Sequence, residues 1–374
     1  MGQYRKIRAI ISGGGTGGHI FPALSIAQRL KEANPHNEIL FVGADGKMEM
    51  EKVPAAGFRI IGLPVAGLQR RLALSNLALP FRLLKSIVMA GKVIDSFRPD
   101  IAIGVGGYAS APLLWMASCK GIPTLIQEQN SFAGLANRIL GKRARRICTA
   151  YEGMERFFPA DRIVLTGNPI RKDIVPADDA MKAEALRFYG LDPSKRHIFI
   201  VGGSLGSRTL NRSVMGWIGD GCPGGDDVEV LWQCGKHYRA ETDRFMDAHE
   251  GLKGKIRHSD FISRMDLAYA AADVVVSRSG ASSVSELCAA HKAVIFVPSP
   301  NVTEDHQTHN AMALVDRDAA MIIRDADAEK DLMRSACDMV HDPQRIAALE
   351  RNIAGLARAD AAGAITAEIY DILD

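Results

Sequence analysis

Short apolar runs alternate with longer segments in which apolar residues recur every three or four positions. The runs lie at 7–12, 39–43, 101–105, 124–128, 146–150 and 162–166 in the first half of the chain. In the second half the candidate strands lie at 197–201, 229–233, 255–258, 273–277, 293–298 and 320–324. Runs this short, rich in Val and Ile and closed by glycine or polar residues, predict strands; the periodic segments between most of them predict helices. Strands that are apolar on both faces are covered on both faces. The alternation therefore predicts parallel sheets flanked by helices, an α/β protein whose ligands bind beyond the carboxyl ends of the strands.

The register restarts near Gly167-Asn168-Pro169. The following stretch, 171–179, is polar and broken by Pro176, as a linker is. A second strand and glycine loop then begins at Ile198. For 374 residues two domains are the natural expectation. We expect a first domain at 1–168 and a second at 169–355, both Rossmann-like, facing a central cleft that is the default site. Asp342 and Pro343 suit a helix start, and Ile365, Ile369, Ile372 and Leu373 form a helical stripe. This last helix, about 356–374, follows the final strand and is placed to cross back onto the first domain.

The chemistry concentrates in the loops. Gly13, Gly15 and Gly18 satisfy G-x-G-x-x-G between a strand and a helix, with His19 where the helix begins. Glycines admit a ligand close to the backbone, and a helix start suits a phosphate. That pattern alone is weak. A nicotinamide dehydrogenase also needs an acid closing the next strand about 20 residues on, and Asp45 comes late. No Gly-Lys-Ser/Thr follows, which excludes a P-loop. His19 is either a cap of the turn or a group titrating near neutral pH beside a phosphate. Gly104, Gly106, Gly107 and Tyr108 form a second loop in the first domain, and the two loops together can enclose a diphosphate. Gln127-Glu128-Gln129-Asn130 ends another strand. In the second domain 202–207 is glycine-rich, and 277–286 runs from a strand into a serine-rich helix start that suits a diphosphate. Glu286 there is placed for ribose hydroxyls, or is simply an acid favoured by the helix dipole. Residues 305–310 supply amides and imidazoles of the kind that read sugar hydroxyls. His306 and His309 are three apart, but nothing nearby completes a metal site.

Composition narrows the setting. The first eight residues lack the apolar core of a signal peptide. Six cysteines, at 119, 148, 222, 234, 288 and 337, show no paired spacing, which predicts reduced thiols in a cytosolic protein. The uncharged stretch 101–119 is interrupted by glycines and Pro112, so it predicts strand, loop and helix rather than a membrane span. The net charge of +3 conceals an asymmetry: residues 1–168 carry 22 basic and 11 acidic side chains, a formal +11, and the remainder carries −8. A basic half faces something anionic, and lipid fits better than nucleic acid. Leu77, Phe81, Leu84 and Val88 recur at helical spacing among Arg70, Arg71, Arg82, Lys85 and Lys92, and residues 142–146 add four more cations. That helix either packs on the sheet with a solvated basic face or docks on anionic lipid. No segment spans a bilayer, so attachment would be peripheral.

Taken in order, 13–22, 104–112, 127–137, 167–171, 202–211, 278–286 and 305–311 resemble the MurG family across nearly the whole chain. These are inverting, peripheral-membrane N-acetylglucosaminyltransferases of peptidoglycan synthesis with the GT-B fold. The resemblance implies transfer of GlcNAc from UDP-GlcNAc to the C4 hydroxyl of MurNAc in lipid I, the undecaprenyl-diphosphate-linked acceptor. The setting it implies is the cytoplasmic face of the bacterial inner membrane, with an anionic surface as partner and no nucleic acid. It implies that Thr16, Gly17, Gly18 and His19 line the donor–acceptor junction. Gly14, Gly15, Gly106, Gly107 and Tyr108 then face the acceptor, and Glu128 and Asn130 face the sugars. Arg171 and Ser204 approach the donor; Ile262 offers backbone groups to uracil. Ala281, Ser282, Ser283, Val284, Ser285 and Glu286 hold the nucleotide, and Gln307 and Asn310 bind the GlcNAc hydroxyls. His19 is the expected base and Glu128 its rival. The helix start at 278–283 and Ser204 would stabilise departing UDP. This chemistry is expected to require neither a metal nor another cofactor. Ser283 and Cys234 stand where the family has threonine, and 221–227 is an insert. The alternatives are another UDP-sugar enzyme of this fold, either a glycolipid glycosyltransferase or a UDP-GlcNAc 2-epimerase.

Overall fold

The computed structural model describes residues 4–15, 17–65, 79–358 and 360–374. Thr16, Arg70, Arg71 and Leu77, named above, lie outside the described residues. The chain forms two compact units, Met1–Ile170 with Arg358–Asp374, and Arg171–Ala357.

The first unit is built on seven strands: β1 (Arg8–Ser12), β2 (Glu38–Ala44), β3 (Arg59–Leu63), β4 (Ile101–Gly104), β5 (Thr124–Glu128), β6 (Arg146–Thr149) and β7 (Ile163–Leu165). They pair in the order β3-β2-β1-β4-β5-β6-β7, every pair parallel. Side chains alternate across the sheet, so both faces are apolar. Ala9 and Ile11 pack toward the helices Gly17–Ala33 and Ala361–Leu373, whereas Ile10, Ala102 and Ile126 share a cluster with residues of the helices Leu79–Phe97 and Ser110–Cys119. Ile365, Ile369 and Tyr370 of the last helix are buried in this unit's core. The hydroxyl of Tyr370 accepts from Asn37 Nδ2 at 2.7 Å. β3, absent from the expected strands although Ile60, Ile61 and Leu63 are apolar, is an edge strand in which only Leu63 is buried.

The second unit has six strands: β8 (Arg196–Val201), β9 (Val228–Gln233), β10 (Ile256–Ser259), β11 (Val274–Ser277), β12 (Val294–Phe296) and β13 (Met321–Ile322). Their order is β10-β9-β8-β11-β12-β13, again all parallel. Ile198, Ile200, Trp232, Val274 and Val276 form the centre of its core.

Each sheet reverses its winding at one place, between β1 and β4 in the first unit and between β8 and β11 in the second. The loops leaving such a pair diverge to opposite faces and open a crevice at the strand ends. Register makes the ends flush: Ser12 pairs with Gly104, and Val201 with Ser277. The four glycine- and serine-rich loops of the sequence are the four loops at these two places. Among the described residues no helix is long and apolar enough to cross a membrane.

Candidate active site

In the first unit the loop after β1 and the loop after β4 interlock. Gly107 has φ +79°, and a Cβ there would collide with the carbonyl of Gly14. A Cβ on Gly14 would in turn collide with the carboxylate of Glu49. Much of the glycine density is therefore loop-on-loop packing. Tyr108 lies over Gly15, its ring 3.2 Å from where a Cβ would stand. His19 is half-buried, and its ring edge lies against Gly106.

Glu49 is the residue that the sequence did not flag here. It is fully buried. Its carboxylate accepts from Gly15 N at 3.2 and 3.3 Å and from Ala44 N at 3.0 Å. The amide of Gly15, a residue expected to face the acceptor, is thus committed to an internal anion. Glu49→Gln sets an NH₂ or a single oxygen against two N–H groups. We expect a loss of roughly 1–3 kcal/mol, read as a lower thermal unfolding temperature, with kcat falling as the Gly13–Gly15 turn loosens. Unchanged unfolding would remove Glu49 from that role.

Glu128 closes β5 and is almost fully buried. It accepts from Asn130 N at 3.0 Å, Gly134 N at 3.3 Å and Asn137 Nδ2 at 2.9 Å. Burial pushes its carboxyl above the usual range, and these donors pull against that. Both oxygens are committed to shaping the 128–137 loop. The geometry thus gives Glu128 a loop-holding task, and of the two base candidates the half-buried His19 is the more accessible. Asn130 is half-buried on the same loop.

In the second unit the loop after β8 exposes Ser204, and no atom lies within 4 Å of where a Cβ of Gly203 would be. The helix Ala281–Ala289 starts at Gly280 without a side-chain cap, and the Cβ side of Gly280 is likewise open. Its first amides need a partner, and an anion provides one. Ala281, Ser282, Ser283 and Ser285 are half-buried along this start; Val284 is buried in the core, so only its backbone can meet a ligand.

Glu286, 13% exposed at its side chain, accepts from Arg171 Nε at 3.3 Å and Tyr269 Oη at 3.1 Å. Burial holds its carboxyl above the ordinary range, with Arg171 opposing. The Ile262 amide donates to Gln233 Oε1 at 3.3 Å, which leaves the Ile262 carbonyl as the group for a base edge. Gln307 accepts from Ser299 N at 2.8 Å, and Asn310 Nδ2 donates to the Ser279 carbonyl at 3.3 Å. These two side chains tie the helix His306–Val315 to the loops beside it.

Arg278 does not present its guanidinium as a free cation. It donates to the carbonyls of Val297 and Pro298 at 2.8 and 3.1 Å, to Asp325 Oδ1 at 2.6 Å and to Ser207 Oγ at 2.6 Å. Ser207 caps the helix Arg208–Gly219. One side chain thus fastens the loops after β8, β11 and β12.

Two parallel-sheet units with glycine loops at their switch points are the architecture of nucleotide-sugar transferases, and the comparisons agree. Residues 9–149 match the glycosyltransferase family 28 N-terminal domain, and residues 197–365 match the family 28 C-terminal domain. The chain is a glycosyltransferase of that family. It is 56% identical over 370 residues to the UDP-N-acetylglucosamine–N-acetylmuramyl-(pentapeptide) pyrophosphoryl-undecaprenol N-acetylglucosamine transferase of Parabacteroides distasonis, covering 99% of each chain. It is 52% identical over 369 residues to the transferase of the same name from Phocaeicola vulgatus, covering 99% of this chain and 97% of that one. The crystal structure of Acinetobacter baumannii MurG superposes with a TM-score of 0.79 at 26% identity, over 98% of this chain and 100% of that one. This chain belongs to the MurG family of N-acetylglucosamine transferases.

Proposed function

We propose that this chain transfers GlcNAc from UDP-GlcNAc to the C4 hydroxyl of MurNAc in lipid I, forming lipid II for peptidoglycan synthesis. The observation that carries the reading is the end-to-end match, at 56% identity, to a transferase of that name. The uncapped helix start at Ala281 and the open Gly203–Ser204 loop support donor diphosphate binding on the second unit. Glu286 takes the ribose hydroxyls, the Ile262 carbonyl meets uracil, and Gln307 and Asn310 serve the sugar hydroxyls. Gly106, Gly107 and Tyr108 receive the acceptor, with Gly14 and Gly15 shaping the loop beneath them. Thr16, Gly17, Gly18, Asn130 and Arg171 complete the donor contacts, and His19 serves the reacting atoms.

The acceptor oxygen attacks C1 of GlcNAc as the bond from C1 to the β-phosphate oxygen breaks. His19 takes the hydroxyl proton, and UDP leaves with the bonding pair, its charge met by the Ala281 helix start and the Ser204 loop. A single displacement turns the α-linked donor into a β-linkage. Transfer of radiolabelled GlcNAc from UDP-GlcNAc to a short-chain lipid I analogue tests the reading. If no product forms and UDP-ManNAc accumulates without acceptor, the chain is an epimerase instead.

Glu286 makes donor binding depend on pH. The ionised carboxylate is the form that accepts ribose hydroxyls, so protons compete with the donor. Burial raises this group's pKa, so affinity falls as pH drops through a value above the ordinary glutamate range. Calorimetric titration of UDP-GlcNAc against pH shows this in the wild type and not in Glu286→Ala. In that variant KM for UDP-GlcNAc rises roughly 10- to 100-fold, and an unaltered KM undoes the ribose assignment.

The first unit also supports peripheral attachment to the cytoplasmic face of the inner membrane. Phe81, Leu84 and Val88 are exposed at 76%, 61% and 51% on the helix Leu79–Phe97, interleaved with Arg82 and Lys85. Leu135 and Ile139 are exposed on the helix Leu135–Gly141, and Arg143 stacks 4.3 Å over Trp115. Apolar side chains among cations suit an anionic bilayer surface. Alanine at Arg82, Lys85 and Arg143 together should weaken binding to phosphatidylglycerol vesicles by about 3 kcal/mol, roughly 100-fold. Equal sedimentation of variant and wild type with vesicles would exclude this surface.

A further inference from the structure

Three side-chain amides, those of Gln127, Gln129 and Asn168, close a ring below the loop that follows β4. The direction of each link is fixed. Asn168 Nδ2 donates to the backbone carbonyl of Gln129 at 3.0 Å, so Asn168 Oδ1 is its accepting end. That oxygen receives Gln127 Nε2 at 2.8 Å. Gln127 Oε1 therefore faces Gln129 and accepts from Gln129 Nε2. Gln129 Nε2 also donates to the Val105 carbonyl at 2.7 Å. A carbonyl can be met only by the NH₂ end, so the Gln129 amide cannot be turned round.

One oxygen is left over. Gln129 is 2% exposed, and its Oε1 is buried without a hydrogen-bond partner. Leaving a buried acceptor unpaired costs about 1–3 kcal/mol. This oxygen lies against Gly106. The three atoms nearest the place where a Gly106 Cβ would stand are His19 Cδ2 at 2.9 Å, His19 Nε2 at 3.0 Å and Gln129 Oε1 at 3.3 Å. Solvent does not reach Oε1, and glycine contributes no side chain there. Of those three atoms His19 Nε2 is the one that can carry a donor hydrogen, and rotation about the soft χ2 torsion of the ring aims it.

We propose that Gln129 is a positioning residue for His19, accepting the Nε2–H through its Oε1. The inference rests on the reading of His19 as the base. The bond selects the tautomer that leaves the lone pair on Nδ1. Nδ1 then takes the C4 hydroxyl proton as the new glycosidic bond forms and UDP departs with its electron pair. Nε2 keeps its own proton, shared with Gln129, and the imidazolium formed is stabilised. Glycine at 106 is required because any side chain would part the two groups.

The test is long-range ¹⁵N–¹H spectroscopy of the full chain labelled at histidine, with the His19 signal assigned by its absence in His19→Ala. Neutral His19 should be protonated on Nε2. In Gln129→Met that preference is lost and the His19 titration midpoint falls by about one pH unit. There kcat drops roughly tenfold at unchanged KM for UDP-GlcNAc. Gln127→Met breaks the same ring but leaves Oε1 and the Val105 anchor, and should keep the Nε2–H form. Glu49 and Tyr108, the other titratable groups on these loops, are retained in both variants. A wild-type His19 protonated chiefly on Nδ1 overturns the proposal. So does an unmoved tautomer in Gln129→Met, or an equal change in both variants. Should Gln129→Met fail to fold, the wild-type tautomer decides alone. Should His19→Ala keep its activity, the base reading falls, while the tautomer still decides the contact.

Discussion

Replacing His19 by alanine lowers kcat by roughly 10²- to 10⁴-fold and leaves the affinity for UDP-GlcNAc nearly unchanged. The sugar hydroxyl is a poor nucleophile until its proton is taken, and a base worth that factor must stand at the reacting oxygen. Glu128 is almost fully buried and spends its oxygens on Asn130, Gly134 and Asn137. His19 is half-buried at the first turn of the helix Gly17–Ala33, against the Gly106 loop. A substitution there removes an interaction made in the transition state and not in the donor complex, so kcat and kcat/KM fall together. Initial rates with a short-chain lipid I analogue measure it. A variant within about threefold of wild type, well short of the usual contribution of a general base, takes His19 out of the role.

Arg278→Met destabilises the second unit by about 3 kcal/mol and abolishes measurable donor binding at concentrations that saturate the wild type. Arg278 is 12% exposed and its partner Asp325 22%. Removing one member of a mostly buried pair leaves the other charge without compensation, which is why the cost exceeds that of a surface pair. Asp325 also accepts from Thr209 Oγ1 at 3.0 Å, so the disturbance reaches the helix that Ser207 caps. The loops after β8 and β11 then lose their common anchor, and these are the two loops proposed to hold the diphosphate. Thermal unfolding and calorimetry with UDP-GlcNAc report the two effects separately. The double variant Arg278→Met/Asp325→Leu recovers much of the stability, because an apolar pair carries no uncompensated charge. It does not recover binding. Recovery of both would mean that the guanidinium anchors nothing the donor needs.

Much of the fold was legible because parallel strands buried on both faces write themselves as unbroken apolar runs. Twelve of the thirteen strands among the described residues were expected, and β3 was not, although its Ile60, Ile61 and Leu63 are apolar. The loops were legible for a related reason: glycine and serine cluster where strands end beside a helix start. The order of short apolar runs and small-residue loops therefore determined the two-sheet architecture, the family and the neighbourhood of the chemistry. The use of each residue in that neighbourhood was decided only by tertiary structure. Glu49 lies 34 positions from Gly15 yet takes its amide. Asn168 reaches back 41 positions to Gln127, and Arg278 joins loops 71 and 47 positions away. Whether a carboxylate is a base or a bracket depends on which donors fold around it. Those donors come from distant parts of the chain, and periodicity, which records only near neighbours, carries no trace of them.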